Sequence, residues 1–432
     1  MVFGTTILGS NPSAPANNMF LIKKIKKLLF PFYRDKNIKE IFKILNSDKN
    51  HNVRLVGGCV RNYLNDEKIG DIDLATIFTP GQVIKKFTNT NFKIIKTGLD
   101  HGTITLNSGG KNFEITTLRE DINTDGRHAE VSFSNDWEKD SQRRDFTINA
   151  IYMDQNGKIF DPQNGLKDLK EKKIRFIGKT LNRIQEDYLR ILRFLRFSIQ
   201  YKDFQKDEQT FNIIKKNLTG ITKISKERIF SELSKIIELE NIKYIYNNKD
   251  FYEIFKIIFP EFRYFERIKN MDENIYQKYL KNEKKLILAL FLIDNSDNHI
   301  YFGHKYKISN HLKEYLDFFH LNFTQLKKNK IFIGKELKKN VFYNGKNKII
   351  SLAIFDFLTN SRKNSENLKK LINKINSTNI PTFPITAKYL LQNGFKSGRQ
   401  IGEVLKKIEK QWIKNDFNLD NEQLNNLIKK EI

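Results

Sequence analysis

Two carboxylates and a glycine pair mark the part of the sequence best suited to chemistry on phosphate. Asp71 and Asp73 are two positions apart, so their side chains share one face if they lie on a strand. Paired carboxylates repel each other unless a cation lies between them, and hard oxygen ligands with open positions suit Mg²⁺. Upstream, Gly57-Gly58 allows the backbone to approach a phosphate, and Arg61 offers a planar fork for phosphate oxygens. This combination predicts metal-assisted attack of a hydroxyl group on a phosphate, with pyrophosphate as the leaving group.

A set of motifs around this pair resembles the class II tRNA nucleotidyltransferases, the CCA-adding enzymes, and their sister group, the bacterial poly(A) polymerases. Their order and spacing fit the family over roughly residues 51–240, and residues 381–412 resemble one bacterial branch of it. The matching segments are residues 55–61, 71–73, 143–150, 161–169, 186–190 and 225–233.

The resemblance implies roles for several of these residues. Asp71 and Asp73 match the catalytic, metal-binding pair of the family, and Arg144 and Asp145 match its ribose-contacting pair. A carboxylate that accepts hydrogen bonds from sugar hydroxyls favours ribonucleotides over deoxynucleotides. Glu114 is expected on a neighbouring strand, either as a third acidic group near the metal or as the partner of an arginine.

Two asparagines receive weaker assignments. Asn149 belongs to the 143–150 motif and is expected either to take part in the nucleotide site or to support it structurally. Asn62 departs from the family, in which an aspartate usually follows the arginine. Asparagine still accepts a hydrogen bond but carries no charge, so a salt bridge through this position is not expected.

The resemblance identifies Asp187 and Arg190 as the pair that reads the base. At positions i and i+3 of a helix they would share one face, and the simplest alternative is a surface ion pair. Cytosine and adenine both present an amine donor beside a ring-nitrogen acceptor, which a carboxylate and a guanidinium can match. Uracil and guanine present the opposite pattern and would leave buried polar groups unpaired. Further along, Arg193 and Arg196 are expected to contact the triphosphate or the primer backbone, or else to be packed or exposed to solvent.

The charge of the chain favours a nucleic-acid partner. Its 432 residues carry 76 Lys and Arg against 50 Asp and Glu, a formal net charge of +26. Part of this excess can instead reflect an AT-rich genome, since Lys, Asn, Ile and Phe are all abundant. The single cysteine, Cys59, excludes a disulfide framework within the chain and suits a reducing compartment. A cytoplasmic location is therefore expected.

The N-terminal segment differs from the rest of the chain. Residues 1–18 lack the Lys and Ile bias, and we hypothesise that they are not translated in the native protein, whose start would be Met19; a disordered leader is the alternative. Residues 20–30 are basic and amphipathic, which favours a short helix packed on the next domain over contact with membrane or RNA. No run of about eighteen apolar residues is present, so stable membrane association is not expected.

The patterning predicts an α/β nucleotidyltransferase head with a small mixed sheet, followed by an elongated, all-α neck, body and tail. Short β-rich runs alternate with turns up to about residue 177, whereas helical periodicity dominates from Leu181 onward. Residues 121–140 are polar and are predicted to form a long loop. The expected divisions are residues 1–18 (leader), 19–50 (basic helical segment), 51–178 (head), 179–250 (neck) and 251–432 (body and tail).

The function implied by the resemblance is template-independent addition of CCA to the 3′ end of tRNA, using CTP and ATP with Mg²⁺ and releasing pyrophosphate. The Lys-rich helices are expected to hold the tRNA acceptor arm by its backbone, and no obligate protein partner is evident. The nearest alternatives are a poly(A) polymerase or an enzyme that adds only C or only A, since all share the catalytic motifs. A non-enzymatic RNA-binding protein is disfavoured by the intact acidic and arginine residues.

Overall fold

The structure is a computed structural model, and it describes residues 31–47, 51–124, 129–201, 205, 207–327, 331–360, 364–395 and 398–429. These residues form two compact units, one ending at Ile224 and the other beginning at Ser225. The hypothesis about residues 1–18 and the predicted basic helix at residues 20–30 lie outside the described residues. The predicted division of the chain into head, neck and body is not tested by this partition and stays a prediction.

The first unit is built on a seven-stranded mixed sheet, as predicted. Its strands are β1 (Val53–Val56), β2 (Ile72–Thr76), β3 (Lys93–Gly98), β4 (Thr103–Ser108), β5 (Lys111–Thr117), β8 (Tyr152–Met153) and β9 (Ile159–Phe160), while β6 (Arg119–Thr124) and β7 (Ala129–Phe133) form a separate two-stranded sheet. The strand order of the large sheet is β3-β4-β5-β2-β1-β8-β9, and β2 and β5 form a parallel pair within it.

The parallel pair of strands places acidic residues side by side. In β5, Phe113 and Ile115 are buried and Glu114 between them is exposed, which is the alternation expected of a strand with one covered face. Glu114 is in register with Asp73 of β2, so both side chains belong to the same face of the sheet. Asp71 immediately precedes β2 rather than lying within it.

The helices of the first unit bury apolar stripes at helical spacing. In α1, Ile38, Ile41, Phe42 and Leu45 are buried, and the carboxylate of Asp35 caps the first turn by accepting from the backbone N–H of Asn37 at 2.9 Å. The helices are α1 (Lys36–Leu45), α2 (Gly58–Leu64), α3 (Pro80–Phe87), α4 (Trp137–Gln142), α5 (Gly165–Lys170), α6 (Thr180–Glu186), α7 (Leu189–Gln200) and α8 (Glu208–Lys216).

The prediction of a long loop over residues 121–140 is wrong. The segment contains the end of β6, all of β7 and the start of α4, and β6 pairs with β7 in antiparallel orientation. Strand pairing is made by backbone groups, so a two-stranded ribbon can form without the apolar alternation on which the prediction relied. The start of α4 is capped by the carboxylate of Asp136, which accepts from the N–H of Glu138 at 2.8 Å.

The second unit is helical over the residues that the structure describes, as the periodicity predicted. In α19, Ile401, Val404, Ile408 and Trp412 are buried at three- and four-residue steps. Gly345 interrupts α16 with φ 78° and ψ 156°. Its helices are α9 (Lys226–Ile237), α10 (Lys243–Asn247), α11 (Lys249–Ile258), α12 (Glu273–Ile275), α13 (Lys285–Leu292), α14 (Asn298–Lys305), α15 (Asn310–Lys327), α16 (Gly334–Thr359), α17 (Ser365–Ser377), α18 (Ala387–Gln392), α19 (Arg399–Lys414) and α20 (Asn421–Lys429).

Among the described helices, none combines the length and the apolar character that crossing a lipid bilayer requires.

Candidate active site

A tight turn at the end of β1 brings Gly57 and Gly58, the predicted phosphate-binding glycines, close to Asp73 of β2. Gly57 has φ 73° and ψ −131°, a backbone conformation that residues with a side chain rarely adopt. A Cβ atom added there would lie 3.7 Å from Asp73 Oδ2 and 4.0 Å from Arg144 Nη1. The absence of a side chain at Gly57 therefore leaves space between a carboxylate and a guanidinium group. Gly58 begins α2 directly after this turn.

The acidic residues on this face disfavour one another's ionisation. Burial, together with the nearby negative charges of Glu114 and Asp71, raises the pKa of Asp73 to about 6, although Arg144 and Arg61 act in the opposite direction. A divalent cation beside Asp73 would remove this cost of ionisation. Over the described residues, no group of three or more His, Cys, Asp or Glu side chains has a metal-binding arrangement. The oxygen pair of Asp71 and Asp73 nevertheless fits Mg²⁺, which commonly uses one or two carboxylates together with substrate phosphates.

Arg61 is held within the first unit. Arg61 is only 6% exposed, and its Nε donates to the hydroxyl oxygen of Tyr201 at 2.7 Å. Nη2 donates to Oδ1 of Asn62 at 3.0 Å, and Nη1 donates to Oδ1 of Asn149. Asn62 thus acts as a neutral hydrogen-bond acceptor for Arg61, as the sequence suggested. The predicted contact of Arg61 with a substrate phosphate stays a prediction.

Asp145 is the centre of a second polar group that includes Asn149 and Arg193. Its Oδ2 accepts from Arg193 Nε at 2.7 Å and lies 2.6 Å from Arg193 Nη2. Its Oδ1 accepts from Asn149 Nδ2 at 2.9 Å. Burial opposes ionisation of Asp145, but Arg193 and Asn149 outweigh it and lower its pKa to about 2. The carboxylate is therefore ionised and oriented, as an acceptor for sugar hydroxyls would have to be.

A buried carboxylate that the sequence reasoning missed orients Arg144. Asp140 Oδ2 accepts from Arg144 Nη2 at 3.1 Å and from the hydroxyl of Tyr152 at 2.7 Å, and Oδ1 accepts from Arg143 Nε at 2.8 Å. Burial disfavours the charge on Asp140, yet Arg144 and Arg143 outweigh it and lower its pKa to about 2. The i to i+4 spacing of Asp140 and Arg144 in the sequence could have predicted this ion pair.

The predicted base-reading motif, residues 186–190, spans a junction between two helices. Asp187 follows the last residue of α6 with an extended backbone, and its Oδ1 accepts from the N–H of Leu189 at 3.1 Å, at the start of α7. The prediction that Asp187 and Arg190 lie on one helix is therefore wrong. A carboxylate just before a helix satisfies unpaired N–H groups of the first turn. This local contact favours the interruption of the helix between α6 and α7.

Arg190 lies in α7 and contacts a residue that the sequence reasoning did not assign. Its Nη1 lies 2.7 Å from Glu186 Oε2, at i and i−4. Glu186 also pairs with Arg183, whose Nη1 lies 2.6 Å from the same oxygen. Further along α7, the guanidinium of Arg196 lies 4.1 Å from the centroid of the Phe197 ring, a contact consistent with the packing alternative.

The predicted residues thus fall into neighbouring groups connected through the first unit. Asp73 and Arg144 flank the Gly57 turn, and Glu114 is in register with Asp73. A hydrogen-bonded chain connects Arg193, Asp145, Asn149 and Arg61. The roles of these residues in binding and catalysis remain predictions.

Comparison with known proteins places the chain in a family. Residues 53–175 match the family model described as the poly A polymerase head domain, and residues 203–265 match the model described as a probable RNA and SrmB-binding site of polymerase A. The mitochondrial CCA tRNA nucleotidyltransferase 1 of Mus musculus is 34% identical over 410 residues, which cover 91% of this chain and 89% of that protein.

A second curated protein and a solved structure are also similar to this chain. The CCA-adding enzyme of Streptococcus uberis is 42% identical over 190 residues, which cover 44% of this chain and 46% of that protein. The crystal structure of the Bacillus stearothermophilus CCA-adding enzyme in complex with CTP superposes with a TM-score of 0.68 at 23% identity, covering 92% of this chain and 98% of that one, and supports the fold alone. The extent of the similarity to the mouse protein establishes that the chain belongs to the CCA tRNA nucleotidyltransferase family.

Proposed function

We propose that this protein adds CCA to the 3′ end of tRNA from CTP and ATP, without a nucleic-acid template, and releases pyrophosphate. The observation that carries the proposal is the arrangement around Gly57, where the carboxylate of Asp73 and the guanidinium group of Arg144 flank a glycine turn. The first unit also contains the base-reading motif, so that one unit holds both the predicted chemistry and the predicted selection of the nucleotide.

Asp71 and Asp73 are proposed to hold Mg²⁺. When bound, this ion would activate the tRNA 3′-hydroxyl and stabilise the leaving pyrophosphate. The backbone of Gly57 and Gly58 would lie against the triphosphate, beside the acidic pair. The contribution of the protein is thus mainly positioning and neutralisation of charge.

Asp145 and Arg144 are proposed to recognise the ribose, and Asp187 and Arg190 the base. Asp187 would accept from the exocyclic amine of cytosine or adenine, while Arg190 would donate to the adjacent ring nitrogen. The contact between Arg190 and Glu186 supports this role, because it restrains the guanidinium before a nucleotide arrives.

The tRNA acceptor arm is proposed to bind through its backbone. The net charge of +26 supports this assignment, since neutralisation of phosphates provides most of the affinity for nucleic acid. A cytoplasmic location is proposed from the single cysteine, although the mouse relative is a mitochondrial protein. Poly(A) addition is the second candidate, because residues 53–175 match a poly A polymerase head model.

Substitution of the acidic pair tests the catalytic assignment. Asp71→Ala or Asp73→Ala should abolish nucleotide addition and leave tRNA affinity largely intact, because the lost charge matters mainly in the transition state. Glu403→Ala, which removes an exposed carboxylate of the second unit, is the control and should retain activity. Near-normal turnover of either aspartate variant would refute the assignment.

A further inference from the structure

Arg183, in α6, contacts the backbone of the predicted ribose-recognition segment. Its Nη2 donates to the carbonyl oxygens of Arg143 and Arg144, both at 2.6 Å. These residues precede Asp145 and are separated from Arg183 by about forty positions in the chain, so the contact joins two distant segments. The side chain of Arg183 is 12% exposed, which shields these hydrogen bonds from competition with water.

The same residue also contacts the predicted base-reading segment. Arg183 Nη1 lies 2.6 Å from Glu186 Oε2, and Arg190 Nη1 lies 2.7 Å from that oxygen. Arg190 Nη1 also donates to the backbone carbonyl oxygen of Arg183 at 2.8 Å. Arg183 therefore restrains Arg190 twice, once through its own backbone and once through a shared carboxylate.

We propose that Arg183 is a positioning residue for nucleotide selection, which fixes the ribose-recognition segment and the base-reading Arg190 at one separation. A nucleotide then has to satisfy the sugar contact and the base contact in a single rigid geometry. The inference rests on the proposed function, because it assumes that Asp145 and Arg190 contact the same nucleotide.

The geometry requires an arginine. Nη2 donates to the two carbonyl oxygens and Nη1 donates to the carboxylate, so one rigid fork holds all three acceptors. A lysine ammonium is a compact charge on a flexible stem and cannot hold the three groups at fixed distances. Substitution by lysine keeps the charge, so any change in selection is attributable to the lost fork.

The test compares Arg183→Lys with the parent protein on a tRNA that lacks its 3′ end. The readouts are the ratios of kcat/KM for CTP over UTP and for CTP over dCTP. Each should fall about tenfold in the variant, because displacing a base or sugar contact by a fraction of an ångström removes much of its discrimination. A fall in both ratios supports the proposal.

The matched control is Arg267→Lys, in the second unit. Arg267 Nη1 donates to the carbonyl oxygens of Leu290 and Ile293 at 2.9 and 2.8 Å, so it also links backbone segments through a guanidinium group. This variant reports the general effect of such a loss on the protein. Its two selectivity ratios should match those of the parent.

A second variant keeps the proposal testable if Arg183→Lys does not fold. Glu186→Gln removes the shared charge and leaves the bonds of Arg183 to the two carbonyl oxygens in place. It should therefore lower the CTP over UTP ratio while the CTP over dCTP ratio stays near that of the parent.

The outcomes separate this inference from the proposed function. Unchanged ratios in Arg183→Lys, or an equal loss for all nucleotides with a lowered melting temperature, would show a purely structural role and overturn the inference. In that case addition of C and A by the parent protein would leave the proposed function standing. A parent protein that adds no nucleotide would overturn both.

Discussion

Replacing Asp73 by asparagine should stabilise the folded protein while abolishing nucleotide addition. Burial and the charge of Glu114 raise the pKa of Asp73 to about 6, against its ordinary value of 3.8. This difference corresponds to a destabilisation of the folded state by about 3 kcal/mol when the carboxylate is ionised. Partial contact of the carboxylate with water reduces this cost to about 1–2 kcal/mol. Asparagine avoids this cost because it has no charge.

The effect has a defined dependence on pH. Protonation of folded Asp73 stabilises the parent fully below pH 3.8, and this contribution is lost as the pH rises through about 6. The variant resembles the protonated form at every pH. The two proteins should therefore be equally stable at low pH and differ most above about pH 7.

The measurement is urea unfolding of the first unit, followed by tryptophan fluorescence. The chain has two tryptophans, Trp137 and Trp412, so a Trp412→Phe background leaves a single reporter in the first unit. Both proteins are compared at pH 5 and pH 8 in the presence of a chelator, with Asp100→Asn, at an exposed position of the first unit, as the control. Added Mg²⁺ should narrow the gap at pH 8, since it binds the parent better. A variant no more stable than the parent at pH 8, or a gap independent of pH, would refute the reasoning.

Three further predictions concern RNA binding, base selection and the buried carboxylate. The affinity for tRNA should fall steeply as the salt concentration rises in a filter-binding assay. An affinity that does not change with salt would indicate that the net charge of +26 reflects genome composition rather than RNA binding. Asp187→Ala should lower the ratio of CTP to UTP use by about tenfold or more, measured by kinetics with all four nucleotides; an equal loss for all of them would make the residue structural. Asp140→Asn should destabilise the first unit by about 3 kcal/mol in the Trp137 assay, because Arg143 and Arg144 lose a buried counter-charge. A change below about 0.5 kcal/mol would contradict this expectation.

Local patterns in the sequence were sufficient to predict the fold class. The strand before Gly57, the helix after it and the helical second unit all follow from side-chain periodicity and glycine conformation, which are short-range properties. The proximity of Asp73 to Glu114 could also be predicted, since both residues lie on short strands of one sheet.

The contacts that orient the site depend on residues far apart in the chain. Arg61 donates to Tyr201, and Arg183 donates to Arg143 and Arg144, and nothing in the local sequence specifies these pairings. The break at Asp187 was missed for a different reason. A carboxylate cap competes with continuation of the helix, and the i to i+3 spacing that suggested a shared face does not reveal which of the two prevails.

The most direct test of the proposed function is incorporation of each labelled nucleotide into a tRNA that lacks its terminal CCA. The purified protein, with Mg²⁺, should add two C residues from CTP alone, one further A when ATP is supplied, and little from UTP or GTP. Extension should stop once CCA is complete. A long run of A residues would instead identify a poly(A) polymerase, and incorporation of all four nucleotides at similar rates would contradict selection by Asp187 and Arg190.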